Sequence, residues 1–169
     1  DMWFGTDPLG RDIFARSVWG GRISLSVGVA VAVIAVGFGL VLGLLAGYIR
    51  VLDAIIMRVM DGLMAIPGIL LAIALISLTG ATLFTVIVAI TIPEIPRVVR
   101  LVRSVVLTVR EEAYVEAAIA AGTKLPSIMI RHILPNTIAP LIVQATYVCA
   151  SAMLTESILG FLGAGIPPE

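Results

Sequence analysis

Charge is scarce in this chain, and the scarcity decides its class. Only 13% of the 169 residues are Asp, Glu, Lys or Arg, while 60% are hydrophobic and the mean hydropathy is +1.13. Soluble domains carry about a quarter of their residues as charges, so the composition points to an integral membrane chain. The 11 basic and 11 acidic residues cancel, and the net charge says nothing about partners. Cysteine is nearly absent too: Cys149 stands alone in an apolar run, which excludes a disulfide framework within the chain and reads as a packed thiol. The lone histidine, His132, has no second His, Cys or carboxylate at ligand spacing, so it is expected at an interface and no metal site is expected. No glycine-rich loop ends in Lys followed by Ser or Thr, so nucleotide binding within this chain is not expected. The apolar runs hold no Ser and His pair, paired Asp motif or metal cluster, which argues against an intramembrane enzyme. No catalytic residue, no cofactor of its own and no nucleic-acid partner are therefore expected. No charged segment followed by a short apolar stretch marks a signal peptide, and both ends read as cut from something longer.

What the chain does have is long runs without charge. Ile23 to Ile49 is one, and a helix of about 20 apolar residues crosses a hydrocarbon core of about 30 Å. Gly28, Gly37, Gly39, Gly43 and Gly47 within it predict close packing against neighbouring helices, because small residues let membrane helices approach. A second run, Gly62 to Pro93, is too long for one crossing, and Thr79, Gly80, Ala81 and Thr82 predict a hairpin within it. Pro93 and Pro96 predict a kink in the helix that follows. A last run, Ile133 to Thr155, gives the fourth span. Before the first span, Asp7 is expected to cap a short helix opened by Pro8, with Gly20 and Gly21 loosening the entry to the span. The expected fold is thus an all-α polytopic membrane helix bundle. It comprises an outer segment 1–22 with a short helix, a transmembrane domain 23–163 with spans at about 23–49, 59–78, 83–105 and 137–161, and an outer loop 164–169.

Cation counting orients these spans. Arg50 and Arg58 lie between spans one and two, and Arg97, Arg100, Arg103, Arg110, Lys124 and Arg131 lie between spans three and four, so both connectors belong to the cytoplasmic side. The hairpin near Gly80 has no Lys or Arg and suits the outer face. Parity then puts residues 1–22 outside.

The inner connector, about 110–135, contains Glu111 to Ala121, almost all strong helix formers. Glu111 and Glu112 are expected in the first turn of a three-turn helix and Gly122 at its left-handed end. Ala113, Ala117, Ala120 and Ala121 share one face that permits close approach of another backbone. Such a helix is either a solvated connector or an element made to sit in a groove.

Elsewhere, Glu94, Arg97, Arg100 and Arg103 recur every three residues along span three, either lining the inner mouth of a path, meeting a partner subunit or anchoring at the interface. Arg58 and Asp61, three apart, are expected to pair locally. Glu156, a carboxylate near the outer end of span four, should face protein or water, as a packing partner or as a gate.

The pattern of Glu116, Ala117, Ala118, Gly122, Leu134 and Pro135 resembles the EAA loop of permease subunits from binding-protein-dependent ABC importers. GTDPLGRD at Gly5 to Asp12, GRISLSVG at Gly21 to Gly28, AGYI at Ala46 to Ile49, MRVMDGLMAIP at Met57 to Pro67, RHILPN at Arg131 to Asn136 and ESILGFLGAGIPP at Glu156 to Pro168 resemble the C-type subunits of the dipeptide, oligopeptide and nickel group. His132 stands where the general pattern often has Ile, as in the peptide-permease subgroup. The resemblance implies a MetI-like transmembrane domain, here a fragment lacking the first and last helices, in a bacterial or archaeal plasma membrane. It also implies a homologous second permease subunit, cytoplasmic ATPase subunits that bind ATP and Mg, an external substrate-binding protein, and import of a peptide or a solute such as a nickel chelate. On that reading Glu116 meets a basic residue in the ATPase groove, Ala117 and Ala118 let the helix seat, and Gly122 sets the angle to a second short helix. The competing class is an ion-coupled secondary transporter with Asp61, Glu94 and Glu156 as membrane carboxylates.

Overall fold

A computed structural model describes residues 4–8 and 10–163; the expected outer loop 164–169 and the end of the last motif lie outside them. The described chain is helical apart from turns and one isolated bridge between Thr6 and Asp12. Helix α1 spans Ile13–Tyr48, α2 Arg50–Ala65, α3 Gly68–Thr79, α4 Leu83–Val109, α5 Ala113–Ala120 and α6 Leu125–Ile128; a π-helical turn, Met129–Ile133, leads into α7, Leu134–Phe161.

The first element corrects the expectation for residues 1–22. The cap is Asp12, whose Oδ1 accepts from the Phe14 N–H at 2.9 Å, and α1 runs from there through Gly20 and Gly21 without interruption. Asp7 caps no short helix. It holds a turn in which Gly10, at φ +75°, donates to the Asp7 carbonyl, and its carboxylate takes the Arg11 N–H and the Arg11 and Arg16 side chains. A left-handed residue three positions on cannot continue a helix from Asp7.

The second correction concerns span two. A single helix over about 59–78 is replaced by α2 and α3, which meet at 84°. Pro67 explains the bend: its ring disfavours helical geometry in the residue before it, and Ile66 is extended at φ −95°, ψ 128°. With 12 residues, α3 is about 18 Å long, too short to cross a hydrocarbon core by itself. The hairpin after it falls where predicted. Gly80, at φ +87°, closes α3, and Thr82 and Thr85 form a reciprocal capping box that opens α4.

α4 is the central post. It continues through Pro93 and Pro96 and packs against α1, α2, α3 and α7. Its first neighbour is α1, in parallel: a Cβ on Gly39, Gly43 or Gly47 would lie 2.4, 2.5 and 2.5 Å from the Cβ of Val98, Val102 and Val106 in turn. The glycines and valines thus interlock every four residues, so dispersion acts over nearly touching backbones. α7 runs antiparallel to α1: Ser24 Oγ donates to Glu156 Oε2 at 2.8 Å, and Gly28 faces Cys149 and Met153. Cys149 is accordingly a half-buried packed thiol. Gly37, by contrast, faces no neighbour within 4 Å.

α1 and the continuous helix Leu125–Phe161 are each long and apolar enough to cross a membrane, and α2 with α3 makes a third, broken candidate. α4 is 27 residues long, but every stretch of crossing length in it includes Glu94, Arg97 and Arg100. Of these three charges only Glu94 is buried; Arg97 and Arg100 are half-exposed. The helix that holds the expected fourth span is already formed at Leu125, ahead of residue 137.

Candidate functional site

The connector after α4 builds the predicted projecting helix, though with two turns rather than three. Glu111 and Glu112 donate their N–H groups to Thr108 and Val109 carbonyls in a turn, Glu112 is extended at ψ 139°, and α5 starts at Ala113. The acid in its first turn is therefore Glu116, where the helix dipole favours it. Gly122 is left-handed at φ +78°, and the Gly122 and Thr123 N–H groups reach back to Ile119 and Ala118 at 2.9 and 3.0 Å. These two bonds form the Schellman motif that ends a helix sharply. Val115 is fully buried and anchors α5, whereas Glu116, Ala117 and the rest of the alanine face (Ala113, Ala120, Ala121) are exposed and Ala118 is half-buried. A flat, small-residue surface with one carboxylate is thus presented away from the bundle.

Leu134 and Pro135 do not join that surface. They are the first residues of α7, beyond a π-turn in which the Leu134 N–H reaches Met129 O. The Pro135 ring would press on the carbonyl four residues earlier in a regular α-helix, and a wider turn relieves it. The return to α5 is made by side chains: Asn136 Nδ2 donates to Tyr114 Oη at 3.1 Å and to His132 O at 2.6 Å, and the Tyr114 and His132 ring centroids are 6.1 Å apart. Sequence reasoning gave no role to Tyr114, nor to Asn136 beyond its place at the end of the RHILPN motif; the clue was a proline just inside a long apolar helix.

The charges of α4 form a separate seam. Glu94 is buried, with 6% exposure, and accepts from Arg97 Nη1 at 3.0 Å and from Ser151 Oγ of α7 at 3.1 Å. Arg100 Nη2 bonds Asp61 Oδ1 at 2.6 Å, and Arg103 grips both oxygens of Asp53, Nη2 to Oδ2 at 2.6 Å. The expected local pair of Arg58 with Asp61 is therefore replaced by a bond from α2 to α4, because the packing of α2 on α4 carries Asp61 to Arg100. Asp53 and Asp61 lie eight residues apart on α2, and their partners on α4 are 50 and 39 residues away in sequence. Glu156 belongs to neither set; it is held by Ser24 in the first half of α1. Among the described residues no group of three or more potential metal ligands occurs.

Residues 39–168 match the family described as binding-protein-dependent transport system inner membrane component. The chain is 62% identical over 168 residues to the Probable peptide ABC transporter permease protein y4tQ of Sinorhizobium fredii, covering 99% of this chain and 58% of that protein. It is 49% identical over 166 residues to the Dipeptide transport system permease protein DppC of Alkalihalophilus pseudofirmus, covering 98% and 55%. With the Di/tripeptide transport system permease protein DppC of Pseudomonas aeruginosa the identity is 44% over 165 residues, covering 97% and 54%. The chain thus spans somewhat more than half the length of these curated relatives. Helical throughout its described core, apolar, and matched over most of its length, the chain belongs to the family of binding-protein-dependent transport system inner membrane components, with a MetI-like transmembrane domain.

Proposed function

We propose that this chain is the transmembrane portion of a permease subunit in an ATP-driven importer of peptides or a related small solute such as a nickel chelate. One observation carries the reading: α5, an exposed acid-and-alanine helix, hangs from the end of the central helix α4 and is closed by a left-handed glycine. It supplies a docking peg for a cytoplasmic ATPase subunit, which binds the ATP and Mg and performs the hydrolysis. Glu116 gives the contact its register, since an interfacial ion pair contributes orientation more than net affinity. Ala117 and Ala118 admit close seating, Gly122 sets the turn to α6, and Leu134 and Pro135 lead the motion into α7. The printed names of the relatives favour the peptide class.

The same reading places the chain across a bacterial or archaeal plasma membrane in four passes: α1, the bent α2 and α3, α4, and α7. Support comes from strand sense: α1 and α4 are parallel, α7 is antiparallel to both, and the Arg-rich and Lys-containing connectors then share one side, the cytoplasm. Charges at membrane depth face water or protein. The half-exposed Arg97 and Arg100 beside Glu94 accordingly face the translocation path or a homologous second permease subunit, and Glu156 holds the outer end of α7. An external binding protein delivers the solute. The test is co-purification of the intact permease with its ATPase: Glu116→Lys and Gly122→Pro should weaken assembly and substrate-stimulated ATP hydrolysis, and wild-type behaviour of both variants would reject the docking role.

A further inference from the structure

Besides the packing of Val115 into the core, two routes connect α5 to α7. One is covalent, through Ala121 to Lys124 and α6, and it contains Gly122, the left-handed residue at φ +78°. A glycine corner can change angle under load, so this route alone transmits a push poorly. The second route is the bond from Asn136 Nδ2 to Tyr114 Oη, with the Tyr114 ring set against His132. Among the described residues it is the only side-chain hydrogen bond that leaves α5. Asn136 is braced in turn on the His132 carbonyl at 2.6 Å, and His132 lies in the π-turn Met129–Ile133. Single π-turns are local departures from α register that recur at functional positions.

We infer that Tyr114, Asn136 and the π-turn at His132 form the joint that transmits movement of α5 to α7; they are positioning residues for transport, not contacts to the ATPase. The inference rests on the docking role proposed for α5. With the second route closed, α5, its glycine corner and the foot of α7 make a triangulated frame, and displacement of α5 turns α7 instead of opening the corner. α7 passes the turn on at two further places, because Ser151 bonds Glu94 of α4 at 3.1 Å and Glu156 bonds Ser24 of α1 at 2.8 Å.

The experiment uses the complete transporter in proteoliposomes, with its partner permease, ATPase subunits and binding protein, and reads solute transported per ATP hydrolysed. Tyr114→Phe removes the hydroxyl and keeps the ring. The expected result is a fall of about two- to tenfold in that ratio, the range one net hydrogen bond supports, with ATP hydrolysis unchanged. Asn136→Ala should act alike, and the double variant should be no worse than the worse single variant, since one shared contact is lost. An unchanged ratio in Tyr114→Phe, a parallel fall of transport and hydrolysis, or multiplying effects in the double variant would overturn the joint. A disulfide cross-link from Ala117→Cys to a cysteine in the ATPase groove separates the two levels. If it forms and the ratio stays at wild type, the joint alone fails; if it never forms with native Tyr114, the docking role fails and the joint with it.

Discussion

Adding one methyl group at Gly43 tests the packing on which every other position depends. A Cβ there lies 2.5 Å from Val102 Cβ, 2.8 Å from Val102 Cγ1 and 3.0 Å from the Val99 carbonyl oxygen. Non-bonded carbons rest about 3.5–4.0 Å apart. Rotating the Val102 side chain gives no relief, because its Cβ is fixed to the backbone, so α1 and α4 must part by about 1 Å along a seam that Gly39 and Gly47 also form. Overpacking of this kind costs about 1–3 kcal/mol. Alanine also has a higher helix propensity than glycine, by up to about 1 kcal/mol, and Gly37→Ala isolates that contribution because nothing lies within 4 Å of its site. Thermal or detergent-induced unfolding of the intact subunit, followed by loss of helical signal, should therefore place Gly43→Ala below Gly37→Ala by the equivalent of about 1–3 kcal/mol. In a Val102→Gly background the gap should shrink, since the opposing Cβ is gone. Equal stability of the two alanine variants, or a gap indifferent to Val102→Gly, would refute the interlocked seam.

Two further outcomes follow from the charges. Asp53→Arg should destabilise the attachment of α2 to α4, and combining it with Arg103→Asp should recover part of the loss; with both side chains partly exposed, the coupling in the double-mutant cycle is about 1 kcal/mol, and additive effects would count against the pair. Glu94→Leu should lower unfolding resistance by about 1–3 kcal/mol because Arg97 and Ser151 lose their acceptor, and Glu94→Gln, which keeps a carbonyl oxygen for them, should lose less; the same melts, run side by side, decide it.

Much of the candidate site was legible because its signals are local. Gly122 was read as a left-handed helix end and has φ +78°, and the hairpin at Gly80 was read equally directly. Where local reading failed, a competing local rule had been overlooked. Ile66 before Pro67 leaves the helical region, which divides span two, and the extended Glu112 shortens α5 by a turn. Asp12 rather than Asp7 starts the first helix because Gly10 turns the chain between them. The π-turn before Pro135 had only the proline to announce it, and periodicity over five residues cannot register a single wide turn.

By itself the order of residues determined a membrane chain, most of its helices, the short helix after α4 and the family, since apolar runs, turn residues and motif spacing act over a few neighbours at a time. Tertiary structure alone decided which polar groups distant in sequence meet. Arg100 finds Asp61 across 39 residues, Arg103 finds Asp53 across 50, Ser151 finds Glu94 across 57 and Ser24 finds Glu156 across 132. Such pairings depend on the direction and register of whole helices, and these are set by how glycines of α1 close upon valines of α4, a matter of shape summed along the interface rather than of any one residue's preference.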